Sequence, residues 1–510
     1  MSFDGNKAQV PSESPRLPSE VEVAVLGAGF SGLGMAIRMK QEGFDDFVVL
    51  ERDEEVGGTW WANTYPGCAC DVPSHLYSFS FAPNPEWGRT YSKQPEIRDY
   101  LIRCSHEYGV RPHIRLNCNA TGAAWDEDSG RWEIETTDGT LRARVLIAGA
   151  GPLAEPKFPD IPGLDSFEGA TFHSARWNHD YDLSGKRVAS IGTGASAIQY
   201  VPMIQPKVEQ LHVFQRTPPW VVPHSDRPLT DFEHRLYRRL PAAQMLMRGL
   251  VYSLRELLVL GFVKNPKLMK PIQRMALKHL ESQVPDPQLR EKITPDYLIG
   301  CKRILPSNEW YPALSQPNVE LVADGIREIR ANSIVGKDGV ERPVDAIVFG
   351  TGFHVTDMPI GKYVRGRDGR TLDQLWHGSP SAHLGTAIPG YPNLFLLLGP
   401  NTGLGHNSIV YMIESQVQHV MEALRTMKRQ GVDTVEVRPE AAERFNAALE
   451  RRHKGTVWTS GCSSWYLDRT GRNSTLWPRS VGAFRRRVGC FHPAAYLVTS
   501  SATHGGGAEV

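Results

Sequence analysis

The hydrophobic pattern of the chain repeats one arrangement of elements. Residues 21–39 (VEVAVLGAGFSGLGMAIRM) and 186–204 (KRVASIGTGASAIQYVPMI) each hold a short apolar run, a glycine-rich loop and apolar positions at helical spacing. A second apolar run follows each unit, at FVVLER (47–52) and LHVFQRTP (211–218). Strand, glycine loop and helix in this order predict two α/β units that each bind a dinucleotide at the loop.

The first loop has the glycines that a pyrophosphate requires. Gly27 permits a tight turn, Gly29 lets the backbone approach the phosphates, and Gly32 lets helix and strand pack closely. Glu51 lies 24 residues after Gly27, where a carboxylate can accept hydrogen bonds from the ribose hydroxyls of an adenosine. The adenosine ribose of FAD has a free 2′-hydroxyl that this carboxylate can bind, so the first loop is predicted to bind FAD. The predicted FAD-site residues of this unit are Gly27, Gly29, Phe30, Ser31, Gly32, Glu51 and Arg52, and Asn401 joins them from a later glycine loop.

The second loop differs at two positions. Ala197 replaces the third glycine, and the residue 24 positions after Gly192 is Arg216 rather than an acid. A guanidinium can pair with a 2′-phosphate that a carboxylate would repel, so this loop is predicted to bind NADPH rather than NADH. The alternative is a solvated arginine at a strand end. The predicted NADPH-site residues are Gly192, Thr193, Gly194, Ser196, Gln199, Arg216 and Thr217.

Three further segments set the predicted domain order. A strand with a proline-rich continuation (144–163) and a strand ending in Gly-Thr-Gly (344–353) suit two crossings between domains, and 392–408 enters a last glycine loop before a helix. The fold class is therefore α/β, with two Rossmann-like domains, the NADPH domain nested within the FAD domain, and a helical insertion. The predicted boundaries are a flexible arm (1–19), the FAD domain (20–150 and 385–495), the NADPH domain (151–225 and 299–384), the insertion (226–298) and a flexible tail (496–510).

Composition narrows the functional classes. A net charge of +1 over 510 residues argues against a nucleic-acid binder held by a basic field. The N-terminus has no apolar core typical of a signal peptide, and the seven cysteines are irregularly spaced, so reduced thiols and a cytoplasmic location are expected. No metal site is predicted.

One segment approaches the apolar character of a membrane span. Residues 242–263 are largely apolar but contain Arg248, Arg255 and Glu256. They are predicted to form an amphipathic helix that packs against protein, and contact with a membrane surface is the alternative left open. Firm membrane association is not expected.

A protein with both cofactors moves hydride from nicotinamide to flavin, and the electrons then need an acceptor. A disulfide would require a cysteine pair near the flavin, and the closest pair is Cys68 and Cys70, whose spacing gives a strained bridge. Small buried thiols are the preferred interpretation of these two residues. The other acceptor is dioxygen.

Two motifs favour dioxygen. The stretch FEGATFHSARWN (167–178) supplies Phe167, Gly169, His173 and Trp177, and GGTWWANTYPGCACD (57–71) supplies Gly58, Trp60, Tyr65, Pro66, Gly67 and Asp71. Both resemble the fingerprints of type I Baeyer–Villiger monooxygenases, which are class B flavoprotein monooxygenases. The resemblance covers most of residues 20–485. Asn178 departs from it, because the family usually has Pro or Asp there.

The resemblance implies a reaction and residue roles. Ketone, NADPH, H⁺ and O₂ would give ester or lactone, NADP⁺ and water through a flavin C4a-peroxide. The family places a catalytic arginine after a lysine, which implies Arg303 after Lys302, with Asp71 as its partner. It also implies that Gly58, Thr59, Trp60 and Trp61 form the wall of the FAD site, with Asp71 at its end and Tyr77 at the flavin edge. His173 and Trp177 would act at the domain crossing, and Trp465 would lie in a substrate-pocket loop.

Three other functions remain open at this level. A heteroatom monooxygenase would share fold and cofactors but oxidise amines or sulfides. An NADPH oxidase or reductase would release hydrogen peroxide. A nucleotide-binding protein without turnover would keep the glycine loops but have no need of Arg303 and Asp71. The natural ketone and the oligomeric state do not follow from the sequence.

Overall fold

Two sheets form the framework of the protein. The computed structural model describes residues 16–500. Their strands, in chain order, are β1 (Glu20–Leu26), β2 (Phe47–Leu50), β3 (Ile114–Arg115), β4 (Ala120–Asp126), β5 (Arg131–Thr136), β6 (Gly139–Ala148), β7 (Ala170–His173), β8 (Arg187–Ile191), β9 (Gln210–Phe214), β10 (Val221–Val222), β11 (Leu305–Pro306), β12 (Val319–Val322), β13 (Ile326–Arg330), β14 (Ser333–Gly336), β15 (Glu341–Pro343), β16 (Ala346–Phe349), β17 (Val364–Arg365), β18 (Leu394–Leu396), β19 (Thr434–Val437) and β20 (Tyr496–Thr499).

Thirteen α-helices accompany the strands in the part of the chain described. They are α1 (Phe30–Gln41), α2 (Thr59–Ala62), α3 (Gln94–Glu107), α4 (Ala197–Ile204), α5 (Asp231–Arg239), α6 (Pro241–Glu256), α7 (Lys270–Gln283), α8 (Pro287–Ile293), α9 (Trp310–Leu314), α10 (Leu372–Trp376), α11 (Ile409–Gln430), α12 (Pro439–His453) and α13 (Val481–Val488). Among residues 16–500, no helix is both long and apolar enough to cross a membrane.

The first sheet has eight strands in the order β17-β4-β5-β6-β1-β2-β3, with β18 pairing with β6 as well. The strands β1, β2, β3, β6 and β18 run parallel, and the long β6 contacts β5 along its first half and β18 along its second. Parallel strands buried on both faces need continuous apolar runs, which β1 and β2 have. Their carboxyl ends place the loop before α1 and the loop after Leu396 at one edge of the sheet.

The second sheet has five parallel strands in the order β12-β9-β8-β16-β7. All five come from residues 170–349, between strands of the first sheet, so the nested arrangement of the fold class is confirmed. The two chain crossings lie side by side: the Lys157 N–H donates to the Gly352 carbonyl (3.0 Å), and Pro156 and Phe353 form a bridge. One hydrophobic cluster joins the sheets, with Val25 and Ile147 from the first and Val188 and Val213 from the second.

Three sequence-based expectations need correction. Residues 364–376 were assigned to the NADPH domain, but β17 pairs with β4, and Leu372 and Trp376 of α10 pack in the core of the first sheet. The predicted tail begins with a strand, because β20 pairs antiparallel with β19; residues 501–510 of that tail, and 1–15 of the predicted arm, lie outside the described residues. Both errors have the same cause: β17 and β20 are too short for the alternation of apolar and polar residues to reveal a strand.

The third correction concerns the cysteines. Cys301 and Cys462 form a disulfide, with 6.3 Å between their Cα atoms, although all thiols were expected to be reduced. The two residues are separated by 161 positions, and only the fold brings their loops together. The cysteines at 68, 70, 104, 118 and 490 are free.

Candidate active site

The backbone of the first glycine loop packs directly against neighbouring backbone, which leaves no room for a side chain at Gly27 or Gly32. Gly27 has φ +90°, and a Cβ there would lie 2.9 Å from the Gly149 carbonyl oxygen. A Cβ on Gly32, in the first turn of α1, would lie 1.8 Å from the Gly27 carbonyl oxygen. Phe30 begins α1 and Ser31 follows, so the helix N-terminus faces the space above Gly29, where an anion is favoured.

Glu51 is part of the wall of this loop. Its carboxylate accepts hydrogen bonds from the backbone N–H groups of Ala28 (2.6 Å) and Asp53 (3.0 Å), and the side chain is buried. Burial raises the pKa of Glu51, while these two N–H groups oppose the shift. Arg52 points away from Glu51 to an ion pair with Glu155 (2.6 Å).

The segment that contains both tryptophans lies on the same loop. The Gly57 N–H donates to the Ala28 carbonyl (3.1 Å), and a Cβ on Gly58 would lie 3.0 Å from the Gly29 Cα. Thr59 then begins α2. The buried Trp60 donates from its indole Nε1 to the Tyr77 hydroxyl (3.2 Å), and Tyr77 packs edge-on against Phe30. The two aromatic rings therefore stand next to the predicted flavin loop.

Arg303 and Asp71 form a two-pronged ion pair. Arg303 donates from Nε to Oδ2 and from Nη2 to Oδ1, both at 2.6 Å. Asp71 lies after α2 and Arg303 just before β11, 232 residues apart. The third nitrogen, Nη1, has only a 3.5 Å contact with the Leu404 carbonyl. The two side chains remain 28% and 21% exposed, so the pair is accessible from one side.

The charges of this pair stabilise each other. Burial opposes ionisation of Asp71, but the adjacent Arg303 guanidinium outweighs it and lowers the pKa of Asp71. Burial likewise disfavours the cation, and Asp71 reverses this effect and raises the pKa of Arg303. Both groups are therefore charged throughout the physiological range.

A third side chain at this point was not predicted. Tyr466 is buried and interacts with the Arg303 guanidinium, and burial raises the pKa of its phenol to about 12. The sequence signal was the neighbouring Trp465, which is half-exposed and stacks near Tyr466 (4.3 Å between centroids). The disulfide from Cys301 to Cys462 joins the segment of Arg303 to the loop of Tyr466.

The second glycine loop has the same turn with a less crowded helix. Gly192 has φ +105°, and a Cβ there would lie 2.4 Å from the Gly350 carbonyl oxygen. Thr193 donates to the Thr217 carbonyl (3.3 Å), which ties the loop to the end of β9. Gly194 has no atom near its missing Cβ, and Ser196 precedes α4, which begins at Ala197.

Two cations stand together beside this loop. Arg216 is exposed at the end of β9. The Lys302 ammonium group lies over the Tyr297 ring (4.8 Å to its centroid), and burial first and the Arg216 charge second lower its pKa. Neither side chain forms a salt bridge with any residue from 16 to 500. Sequence reasoning named Lys302 only as the neighbour of Arg303. Two cations without a carboxylate partner in the described part of the chain would favour an anion such as a phosphate.

Gln199 and Asn401, two predicted cofactor-binding residues, form side-chain hydrogen bonds to other parts of the protein. Gln199 accepts from the Tyr65 hydroxyl (2.9 Å) and the Ala69 N–H (3.2 Å) and donates to the Ala69 carbonyl (3.1 Å). It thereby connects α4 to the tryptophan-containing segment. Asn401 donates from Nδ2 to the carbonyls of Asn473 (2.7 Å) and Leu476 (3.1 Å), while its buried Oδ1 has no hydrogen-bond partner within residues 16–500.

Cys68 and Cys70 are buried thiols. Burial raises the pKa of Cys68 to about 12 and that of Cys70 well above its usual value. The thiolate is the reactive form of cysteine, so these residues are poor redox groups. The preferred interpretation of a small buried pair is confirmed.

The second motif lies at the crossing between the sheets. His173 ends β7, is buried between Phe158 and Phe353, and accepts from the Ala175 N–H at Nδ1 (3.1 Å). Burial lowers its pKa to about 4, so the imidazole is neutral near pH 7. Trp177 packs on Phe172 and on Tyr200 of α4.

The residues fit two dinucleotides. Glycines without room for a Cβ, a helix N-terminus and the Glu51 carboxylate suit the pyrophosphate and free ribose of FAD. The second loop, with Arg216 and Lys302 unpaired, suits the extra phosphate of NADPH. Fold and site together define a flavoprotein with two nested dinucleotide domains.

Comparison with known proteins narrows this class. Residues 20–281 match the family model "Flavin-binding monooxygenase-like". A Baeyer–Villiger monooxygenase of Streptomyces coelicolor is 53% identical over 96% of this chain and 94% of its own length, and one of Pseudomonas aeruginosa is 51% identical over 96% and 93%. The chain therefore belongs to the flavin-binding monooxygenase-like family, and within it to the Baeyer–Villiger monooxygenases.

Solved structures agree with this placement. A cyclohexanone monooxygenase from Rhodococcus sp. Phi1 bound to NADP⁺ matches with a TM-score of 0.85 and 29% identity, covering 95% of this chain and all of that one. An oxidised steroid monooxygenase bound to NADP matches with a TM-score of 0.83 and 30% identity over 95% of this chain and all of its own. OTEMO in complex with FAD and NADP matches at 0.82 and 28% identity, over 92% and 97% of the two chains.

Proposed function

We propose that the protein uses FAD, NADPH and O₂ to insert one oxygen atom into a ketone, giving an ester or lactone and water. The observation that carries the proposal is the bidentate pair of Arg303 and Asp71 beside the predicted flavin loop. Bound FAD would take hydride from NADPH and activate dioxygen. Family membership supports both cofactors and this reaction class.

Arg303 is proposed to stabilise the negative charge that develops on oxygen during ketone oxidation. Asp71 holds Nε and Nη2, which fixes the plane of the guanidinium and leaves Nη1 as its least engaged donor. A fixed cation that needs no reorganisation lowers the barrier more than a mobile one. The Tyr466 phenol, protonated near pH 7, is proposed to help position the guanidinium.

The neighbouring aromatic rings have a second proposed role. Trp60 is buried and Tyr77 partly buried; a hydrogen bond joins them, and Tyr77 packs edge-on against Phe30 at the start of α1. Apolar faces at this place exclude water from the reacting oxygen. Water there would promote release of hydrogen peroxide instead of transfer to the ketone.

The test is product analysis under ¹⁸O₂ with NADPH and a panel of cyclic, aryl and long-chain ketones. We expect an ester or lactone with one heavy oxygen. In Arg303→Ala, NADPH should still bleach the flavin, while ester formation falls roughly 10²–10³-fold and hydrogen peroxide replaces it. Ester yield at the wild-type level in this variant would remove Arg303 from the mechanism.

Arg425→Ala is the matched control. Arg425 makes the same two-pronged contact with Glu42 (2.7 and 2.6 Å) at similar exposure, but between α11 and the end of α1. It should retain the wild-type ratio of ester to peroxide. If wild-type enzyme yields only peroxide from every ketone but oxygenates amines or sulfides, the heteroatom monooxygenase replaces the present proposal.

A further inference from the structure

Helix α6 turns an apolar face to the outside of the protein. Leu246, Leu250, Leu254 and Leu257 follow each other at helical spacing and are 76%, 52%, 59% and 62% exposed. Residues 240–275 hold nine of the seventeen exposed large hydrophobic side chains of the described chain. The nine, called here the leucine face, are Leu240, Met245, Leu246, Leu250, Leu254, Leu257, Leu260, Leu268 and Met275.

The opposite side of α6 is polar and buried. Gln244 donates to the Asn84 carbonyl (2.7 Å), and Arg248 donates to the carbonyls of His75 (2.9 Å) and Ser78 (3.1 Å). Rotating the helix to bury the leucines would leave these polar groups unpaired, which is costly in a protein interior. The leucine face is therefore held outward by specific contacts.

Glu256 fixes the end of the helix in the same way. One carboxylate oxygen accepts from the Val481 N–H (2.6 Å) and the other from the Asn407 side chain (3.0 Å). The segment from 234 to 280 contains ten lysines and arginines but no acid other than Glu256. Because that single acid is turned inward, cations outnumber acids at the surface around the leucine face, where the exposed acids Glu86, Asp231 and Glu281 lie at its edges.

Eight of the basic side chains are exposed around this face. They are Arg235, Arg238 and Arg239 before α6, and Lys264, Lys267, Lys270, Arg274 and Lys278 after it. Arg238 pairs with Glu86, and the others form no salt bridge with residues 16–500. The chain as a whole has a net charge of only +1, whereas residues 234–280 hold ten basic residues and one acid, so this segment is strongly basic by comparison.

We propose that the leucine face binds the surface of an anionic phospholipid bilayer. An apolar strip flanked by lysine and arginine inserts at the level of the headgroups, while the cations bind the acidic lipids. A symmetric contact with a second copy would bring the same cations together, which opposes that alternative. Leucine is under-represented in protein hot spots, so a face composed mainly of leucine also suits lipid better than a protein partner.

The test uses the purified holoenzyme and sedimentation with vesicles. One set contains phosphatidylcholine alone and the other adds phosphatidylglycerol. We expect binding to the anionic vesicles that falls as salt is raised, and weak binding to the neutral ones. Leu246→Gln/Leu250→Gln/Leu254→Gln should lower the partition coefficient roughly tenfold or more while the flavin absorbance stays unchanged.

Two variants separate the contributions. Lys264→Gln/Lys267→Gln/Lys270→Gln should reduce the preference for anionic vesicles. Val340→Gln changes an exposed apolar residue outside the face and should bind as wild type does. Absence of sedimentation with anionic vesicles at low salt would overturn the proposal. So would a dimer that the leucine variant converts to monomer while vesicle binding is absent in both.

Discussion

The two glycine loops make the same turn, but they differ in the room that they leave for a side chain at the third position of the glycine motif. Gly27 and Gly192 both have positive φ and both press against a neighbouring backbone carbonyl. At the third position, Gly32 would place a Cβ 1.8 Å from an oxygen, whereas Ala197 already carries a Cβ in the second loop. The first helix thus leaves no room for a methyl group at this position, whereas the second already accommodates one.

The charged residues that follow β2 and β9 also differ between the two loops. Glu51 is buried and satisfied by two backbone donors of its own loop, whereas Arg216 is exposed and unpaired beside Lys302. One site is completed by the protein itself, and the other presents charge for a ligand to neutralise. The first loop thus holds its acid in place without a ligand, whereas the second leaves its cation without a carboxylate partner among residues 16–500.

The largest effect is expected from Gly32→Ala. The new methyl group cannot fit against the Gly27 carbonyl, so α1 must shift. We expect the free energy of unfolding to fall by about 2–3 kcal/mol and most of the bound flavin to be lost. The thermal midpoint measures the stability, and flavin absorbance per protein measures the flavin content. The converse change, Ala197→Gly, should cost only about 0.5–1 kcal/mol and keep the flavin. Full flavin content in Gly32→Ala would show that the packing difference has no role in cofactor binding.

Arg216→Ala should have an intermediate effect. Loss of a charge-assisted contact raises the Michaelis constant for NADPH roughly 10–100-fold, and NADH, which lacks the 2′-phosphate, serves as the internal control. Steady-state oxidation of both nucleotides gives the comparison. Equal changes for the two would assign Arg216 to the stability of the loop rather than to phosphate binding.

Lys302→Met should have the smallest effect on the Michaelis constant for NADPH, and it should change how that constant depends on pH. The pKa of Lys302 is lowered, so its positive charge is lost at a lower pH than that of an ordinary lysine. In wild type, the Michaelis constant for NADPH should therefore rise as pH increases through the alkaline range. The variant should show a constant about three- to tenfold higher near pH 7 and a flatter alkaline limb. An unchanged limb would mean that Lys302 does not face the phosphate.

Local patterns predicted the loops because their chemistry lies within short segments. Gly27, Gly32 and Glu51, or Gly192 and Arg216, stand at spacings that a single strand–loop–helix unit imposes. The pairing of Arg303 with Asp71 followed from the family resemblance, since nothing local relates residues 232 positions apart.

Other features depend on contacts that only the folded chain makes. Gln199 was expected at the cofactor but bonds Tyr65 and Ala69, and Tyr466 reaches Arg303 from a loop with no periodic pattern. For α6, the apolar spacing predicted two faces without telling which one is buried. The usual assumption would turn the leucines inward, and the hydrogen bonds of Arg248 reverse it.

The paired crossings between the sheets limit how the two halves can move. Lys157 and His354 donate backbone hydrogen bonds to Gly352 and Glu155, so the outgoing and returning chains form one short ribbon. Sliding would break this ribbon, whereas twisting about its length would not. Twisting is opposed in turn by the hydrophobic cluster that joins the two sheets and by the Gln199 contact with Tyr65, so either movement must break contacts between the sheets.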